Sequence, residues 1–253
     1  MDVNTKELYK QTFGHFCTDA ACAAVVIAGT ADLFDIVKFF AGYNFLAFCL
    51  QPLAGWLLDK FKNIRFEHYI VTAFLLLLIA FAPNLNIWLR VALVGVGNCL
   101  FHVGAGALIL TTAAKKMMPL GVFVSGGAVG LALGTTFAVV EVWRIFRCLC
   151  LAMMVVINIR LPERTSLKTS QVFPWKIIGL LCVCVALRSF MGLAPLTQFE
   201  KTLPVLLTIT FGVFAGKFLG GILCDKFGIK KVVLMSTAIV LPLFLPALKN
   251  PYL

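Results

Sequence analysis

Long apolar runs separated by short polar segments dominate the hydropathy pattern of this chain. A helix needs about 20 apolar residues to cross roughly 30 Å of hydrocarbon, and most of the runs have that length. The runs are continuous and do not alternate in short segments, which favours helices over the strands of a barrel. The pattern predicts an all-α, multi-pass transmembrane bundle of about nine helices, at 11–29, 34–57, 68–85, 87–111, 119–140, 142–159, 175–194, 202–224 and 231–248.

The composition fits a chain whose solvent is lipid. Of the 253 residues, 61% are hydrophobic and 13% are charged, whereas about a quarter of the residues of soluble domains are charged. The net charge of +11 would suggest nucleic acid for a soluble domain, but basic loops on one side of a membrane explain it here. The nine cysteines form no CxxC pair, so we expect no metal site, no cofactor and no nucleic-acid partner.

The distribution of basic residues predicts the orientation in the membrane. With the N-terminus in the cytoplasm, the cytoplasmic segments hold fourteen of the 22 Lys and Arg residues, the outer ends hold five, and three fall within spans. Cytoplasmic loops of membrane proteins carry such an excess. We therefore expect a multi-pass membrane protein with a cytoplasmic N-terminus.

A polar stretch divides the chain into two parts. The segment LPERTSLKTSQVFP at 161–174 contains two prolines and follows the sixth predicted span. We predict a six-helix N-terminal bundle at 1–160, a cytoplasmic linker at 161–174 and three further helices at 175–253.

Two short segments at equivalent positions of the two parts resemble each other. Residues 51–61 read QPLAGWLLDKF, and residues 217–227 read KFLGGILCDKF. Both lie at the predicted cytoplasmic end of the second helix of their part. They resemble the signature loop G-x-L-x-D-[RK]-x-G-[RK]-[RK] of the major facilitator superfamily, closely in the second copy, whereas Lys62 replaces the usual glycine in the first.

This resemblance implies the fold and the activity of a secondary transporter. Members of the superfamily have two related bundles and twelve helices, so nine helices would leave the second bundle incomplete. The glycines of the loop allow close helix packing, and its aspartates can pair with partners across the loop and gate access to the cavity. The resemblance assigns this gating role to Gly55, Asp59, Lys60, Arg65, Gly221, Asp225, Lys226, Gly228 and Lys230.

The fourth and fifth predicted helices carry a further resemblance. GNCLFHVGAGALIL (97–110) and GVFVSGGAVGLALG (121–134) resemble segments of bacterial drug-efflux members, including the fosmidomycin-resistance type. This resemblance implies a location in the bacterial inner membrane. Gly126, Gly130 and Gly134 recur every four residues, which places them on one helix face for close packing. The antiporter signature of this helix usually contains a proline, and none is present in this segment.

Ionisable residues within the predicted spans are the candidates for chemistry, because charge at bilayer depth is costly. His15 and Asp19 are four residues apart on the first helix and share a face. At 1.5 Å per residue, Asn98 reaches the depth of Asp19, and His102 reaches the depth of His15. We predict Asp19 as the proton-coupling carboxylate, tuned by His15. The predicted substrate cavity contains Asn98, His102, Arg188 and Lys217.

These features predict a proton-coupled transporter of a small solute that works by alternating access. Drug efflux is one activity that such a transporter could have. Its partners would be the solute, protons and lipid, and we expect a monomer. The alternatives are a non-transporting membrane sensor or scaffold and an inactive truncated transporter fragment. An enzyme is not expected, because the chain contains no HExxH or GxSxG element.

Overall fold

The computed structural model describes residues 5–29, 33–61, 63–113, 115–159 and 202–249, together with 176, 179–180 and 182–184. Within these residues the regular secondary structure is entirely helical, which confirms the predicted all-α class for the described part of the chain. The long elements are α1 (Thr5–Ala28), α2 (Leu33–Asn44), a π-helical turn (Phe45–Cys49), α3 (Gln51–Lys60), α4 (Phe66–Ile79), α5 (Ile87–Thr112), α6 (Met118–Thr136), α7 (Glu141–Ile159), α8 (Leu203–Phe227) and α9 (Ile229–Lys249).

The helix ends follow from local sequence. Asn86 precedes α5, and its side-chain oxygen accepts a hydrogen bond from the backbone N–H of Trp88 at 2.8 Å, which satisfies one of the free donors of the first turn. Pro119 and Pro204 lie in the first turns of α6 and α8, where a missing N–H costs nothing. Gly228 follows the last residue of α8 and has a φ of 85°. Glycine adopts a positive φ easily, so the helix ends here and α9 begins at the next residue.

Among the described helices, α1 and α6 make the most extensive contact. An added Cβ on Gly126 would lie 2.5 Å from the backbone oxygen of Thr12, and Gly130 and Gly134 lie equally close to the backbone of α1 at Phe16 and Ala20. Glycines spaced by four residues thus let two helix backbones approach more closely than larger side chains would permit. This row of Gly126, Gly130 and Gly134 is called the glycine seam below.

The core of the structure lies around α1, α4, α5 and α7. Buried aromatic and aliphatic side chains from these four helices pack into one continuous cluster, which includes Ile70, Phe74, Leu77, Phe101, Leu151 and Met154. The side chain of Tyr69 donates a hydrogen bond to the backbone oxygen of Ala54 at 2.9 Å and so joins α4 to α3.

The exterior is apolar as well. On α7, Val142, Leu149 and Val156 recur every seven residues on one face and are 75%, 64% and 62% exposed. The face that packs inward carries Leu151 and Met154. Of the described helices, α5, α6, α7 and α8 are long and apolar enough to cross a membrane by length and composition. These features suggest a membrane protein, since an exposed apolar stripe of this length is unfavourable in water.

The predicted spans coincide with the described helices over most of the chain. The predicted second span corresponds to α2, the π-helical turn and α3 together, and the predicted first span begins several residues too late because α1 extends back to Thr5. The linker at 161–174 and most of the span at 175–194 lie outside the described residues. The count of nine spans therefore stays a prediction.

Candidate functional site

Two helices position the candidate site. His15 and Asp19 share one face of α1, and Asn98 and His102 share one face of α5, because residues four apart on a helix lie one turn above each other. The structure brings these two faces together, so that the four side chains form one polar group inside the apolar bundle. His15, Asp19, Asn98 and His102 are called the polar cluster below.

The polar cluster is connected by direct contacts. The His15 Nε2 atom lies 3.3 Å from a carboxylate oxygen of Asp19 and 3.0 Å from the Nε2 atom of His102. The side-chain amide of Asn98 donates to the other Asp19 oxygen at 3.3 Å. The two imidazole rings meet edge to face, with centroids 4.6 Å apart. The carboxylate is thus held from both helices.

Backbone carbonyls determine which nitrogen of each imidazole carries hydrogen. The Nδ1 atom of His15 lies 3.0 Å from the backbone oxygen of Phe123, and the Nδ1 atom of His102 lies 3.0 Å from the backbone oxygen of Asn98. A carbonyl only accepts, so each Nδ1 donates, and the Nε2 atom of each neutral ring carries a lone pair. Two lone pairs and a carboxylate then point at one another. Such a set of acceptors is stable only when a proton or another cation lies among them.

Apolar groups enclose the polar cluster. The ring of Phe101 packs against both imidazoles, and the rings of Phe48 and Phe123 each pack against one. Gly127 of α6 packs against the polar cluster so closely that an added Cβ would lie 2.6 Å from the His15 Nε2 atom. His15 and Asn98 are buried and Asp19 and His102 are partly exposed, so charges interact more strongly here than in water.

Lys217 of α8 is a cation near the polar cluster. It is half-buried and lies close enough to act electrostatically on both Asp19 and His102. The second part of the chain therefore contributes a charge to a site built mainly by the first part. Arg188, the other cation predicted for the cavity, lies outside the described residues.

A second polar contact joins α8 to α6. The carboxylate of Asp225 accepts hydrogen bonds from the backbone N–H groups of Met117 at 2.6 Å and Met118 at 2.9 Å. These donors belong to the start of α6, where the helix leaves N–H groups free and its dipole favours a negative charge. Next to this contact, an added Cβ on Gly121 would lie 3.0 Å from the Cα atom of Gly221. The second signature loop thus caps a helix of the first part.

The first signature loop has a different environment in the described residues. Gly55 has no neighbouring atom within 4 Å of an added Cβ, and Asp59 is exposed. Lys60 stacks on the ring of Trp56 at 4.5 Å, and Arg65 lies 3.6 Å from the carboxylate of Glu67. The described residues therefore place no helix end against Asp59.

The remaining residues of the second loop lie at the surface. Lys226 is exposed and stacks on the ring of Phe227 at 5.3 Å. Lys230 is exposed on the first turn of α9, and Gly228 forms the junction between α8 and α9. Among the described residues of this loop, Asp225 and Gly221 make the contacts with α6.

Two features of the first part were not predicted from the sequence. Gly127 borders the polar cluster, although only its neighbour Gly126 belongs to the four-residue repeat. Arg147 is 5% exposed and donates to the backbone oxygens of Phe137 and Ala138 at 3.1 Å each, at the end of α6. With Arg90 and Arg144 it lines a cavity of about 270 Å³. Counting residues along a helix gives the depth of a side chain but not the neighbour that it faces, because that depends on how the helix is rotated about its axis.

Comparisons of the chain with family models, with curated proteins and with solved structures find no match to any of them.

Proposed function

We propose that the chain is a secondary transporter that moves a small solute across a membrane by alternating access, with the polar cluster as the place where an ion binds. The observation that carries the proposal is the polar cluster itself: a carboxylate and two imidazoles lie between helices in a bundle with an apolar exterior. Ionisable groups at such depth are costly and mark ion or substrate pathways in membrane proteins.

The contact between Asp225 and α6 supports the same proposal. In the orientation predicted from basic residues, both the end of α8 and the start of α6 lie at the cytoplasmic surface. A carboxylate that caps a helix of the other bundle closes the protein at that surface, and breaking the cap would open it. The resemblance of the loop to the major facilitator signature gives the same gating role to Asp225 and Gly221.

The coupling ion predicted from the sequence is a proton bound at Asp19. The acceptors of the polar cluster favour a cation among them, whichever ion drives transport. Lys217 adds a positive charge from α8, so movement of α8 away from the cluster would change the electrostatic energy of the bound ion.

The proposal is tested by expressing the full chain in a bacterial strain that lacks its own drug-efflux pumps. Tolerance to a panel of toxic cationic, anionic and neutral compounds is measured for the wild type, Asp19→Asn and Asp35→Asn. Asp35 pairs with Lys38 at 2.7 Å on α2, away from the polar cluster, so it serves as the matched control.

We expect the wild type and Asp35→Asn to change tolerance to the same compounds, and Asp19→Asn to behave as the empty vector at equal membrane abundance. If the wild type changes tolerance to no compound, or if Asp19→Asn acts as the wild type, a transport role of the polar cluster is wrong. The chain would then be better described as a membrane sensor or scaffold.

A further inference from the structure

We propose that the Nε2 atoms of His15 and His102 and the carboxylate of Asp19 form a binding site for a divalent transition-metal ion of the zinc and cobalt type. The inference deepens the function proposed above, because it names the ion that the polar cluster holds. Metal binding to purified protein is measured without transport, so the two proposals can fail separately.

The spacing of the three ligand atoms fits one ion. The ligand atoms of His15, Asp19 and His102 all lie within 4.8 Å of one another, and the two closest separations are 3.0 and 3.3 Å. Zinc bonds to nitrogen and oxygen are about 2.0–2.2 Å long, so neighbouring ligands of a tetrahedral ion are about 3.3 Å apart. Two of the three separations are therefore close to the distance that a bound tetrahedral ion would set, and the third, between His102 and Asp19, is at most 4.8 Å.

The surroundings of each ligand match those of metal-binding residues. A histidine that binds metal through one nitrogen almost always donates its other N–H to a carbonyl or carboxylate, which fixes the ring. Both imidazoles do so here, through Nδ1 to the backbone oxygens of Phe123 and Asn98. The Asp19 carboxylate is oriented in turn by the side-chain amide of Asn98. Each of the three ligands thus has its own supporting hydrogen bond.

The chemistry of the ligands selects the class of metal. Two imidazole nitrogens and one carboxylate oxygen suit zinc, cobalt and related first-row ions, whereas magnesium and calcium prefer oxygen ligands alone. Three protein ligands leave a fourth position open for water or a solute. The side-chain oxygen of Asn98, whose amide nitrogen contacts Asp19, is buried and has no hydrogen-bond partner among the described residues, so it is a free acceptor beside the site.

Lys217 opposes the binding of a cation. Its charge acts on Asp19 and His102, and a divalent ion would be repelled by it. Replacement of this lysine by a neutral residue should therefore tighten metal binding, whereas loss of a ligand should weaken it. A pair of variants with opposite effects distinguishes a specific site from adsorption of metal to the protein surface.

The test uses the full chain purified in detergent, with its accessible thiols blocked by N-ethylmaleimide, because exposed Cys49 and other cysteines would bind zinc. Titration calorimetry measures Zn²⁺ and Co²⁺ binding, and the visible spectrum of Co²⁺ reports its coordination number. The variants are His15→Gln, His102→Gln and Lys217→Gln. The control is His68→Gln, because His68 is exposed and accepts from the backbone N–H of Arg65 at 3.1 Å, outside the cluster.

We expect one Zn²⁺ per chain, a four-coordinate Co²⁺ spectrum, and affinity lowered about 10–100-fold or more in His15→Gln and His102→Gln. His68→Gln should bind as the wild type, and Lys217→Gln should bind more tightly. Absence of stoichiometric binding to the folded wild type would overturn the proposal, and so would equal affinity in the histidine variants. Should those variants not fold, a six-coordinate or thiolate-type Co²⁺ spectrum of the wild type would also reject it.

Discussion

At the scale of single residues, the polar cluster depends on a position that has no side chain. Gly127 faces His15 and Asp19 from α6, and its Cα hydrogen is all that fits there, because an added Cβ would lie 2.6 Å from the His15 Nε2 atom and 2.7 Å from its Cδ2 atom. The glycine does not bind anything. It determines how close α6 can come to the imidazole and thereby excludes water from that side.

We expect Gly127→Ala to destabilise the protein by roughly 1–3 kcal/mol, since overpacking a closely packed site forces side chains out of their rotamers. Thermal unfolding in detergent measures the effect. Gly106→Ala on α5 is the matched control, because an added Cβ there meets nothing within 4 Å. Equal unfolding temperatures for the two variants would mean that the closeness of α6 to His15 is not energetically important.

Arg147 contributes to stability through the end of α6. Arg147→Ala should lower the free energy of unfolding by roughly 1–3 kcal/mol, because the backbone oxygens of Phe137 and Ala138 lose their donor in a buried place. Arg144→Ala should cost less than about 1 kcal/mol, since its pair with Glu141 is exposed. Chemical unfolding in detergent compares the two. A larger loss of unfolding free energy in Arg144→Ala than in Arg147→Ala would contradict the assignment of Arg147 as the residue that caps the end of α6.

At the scale of helices, α6 is the element that the two parts of the chain share. Its glycine seam packs on α1, its start is capped by Asp225, and Gly121 packs on Gly221 of α8. Glycines make the contacts with α1 and with Gly221 possible, because only small residues allow two helices to approach to backbone distance. The helix thus joins the polar cluster to the second signature loop.

We expect Asp225→Asn to increase amide hydrogen exchange in the first turn of α6, because the backbone N–H groups of Met117 and Met118 lose a charged acceptor. Exchange followed by mass spectrometry on peptides that cover these residues measures the change. Asp59→Asn is the control, because Asp59 occupies the matching position of the first loop and is exposed. An increase in both variants, or in neither, would show that the Asp225 cap has no effect on α6.

Much of the polar cluster could be predicted because depth in a membrane follows from counting residues. The rise of 1.5 Å per residue placed His15 with His102 and Asp19 with Asn98, and the structure brings these pairs into contact. The contribution of Gly127 and the buried position of Arg147 could not be predicted, since they depend on how each helix rotates about its axis. The sequence grouped these residues for proton coupling and substrate binding and not for a metal, because the expectation of no metal site rested on cysteine spacing, which carries no information on histidine and aspartate ligands.

At the scale of the whole molecule, the exterior is apolar like the core, and the polar cluster lies among the buried helices. Exposed Val142, Leu149 and Val156 form a continuous stripe, whereas His15 and Asn98 are buried. In water this arrangement would lead to aggregation. In lipid it is stable, because apolar side chains meet apolar chains and the helices satisfy their own backbone groups.

We therefore expect the protein to remain in the membrane fraction after extraction with alkaline carbonate, and its recovery in the soluble fraction would contradict a membrane location.

The orientation of the chain in the membrane is measured in a version whose native cysteines are replaced. An impermeant maleimide should label Lys38→Cys in intact cells and should label Lys115→Cys only after the membrane is opened. The reverse labelling would place the N-terminus outside.

The glycine seam has a thermodynamic consequence for the cap at Asp225. Gly127 lies beside the seam on α6, so a displacement of α6 relative to α1 would change the position of Gly127 relative to His15. If an ion binds the polar cluster more tightly when the cap is formed, the ion must strengthen the cap by the same factor, since linkage between two sites is reciprocal. The ion affinity of the polar cluster and the stability of the Asp225 cap would then report the same coupling free energy.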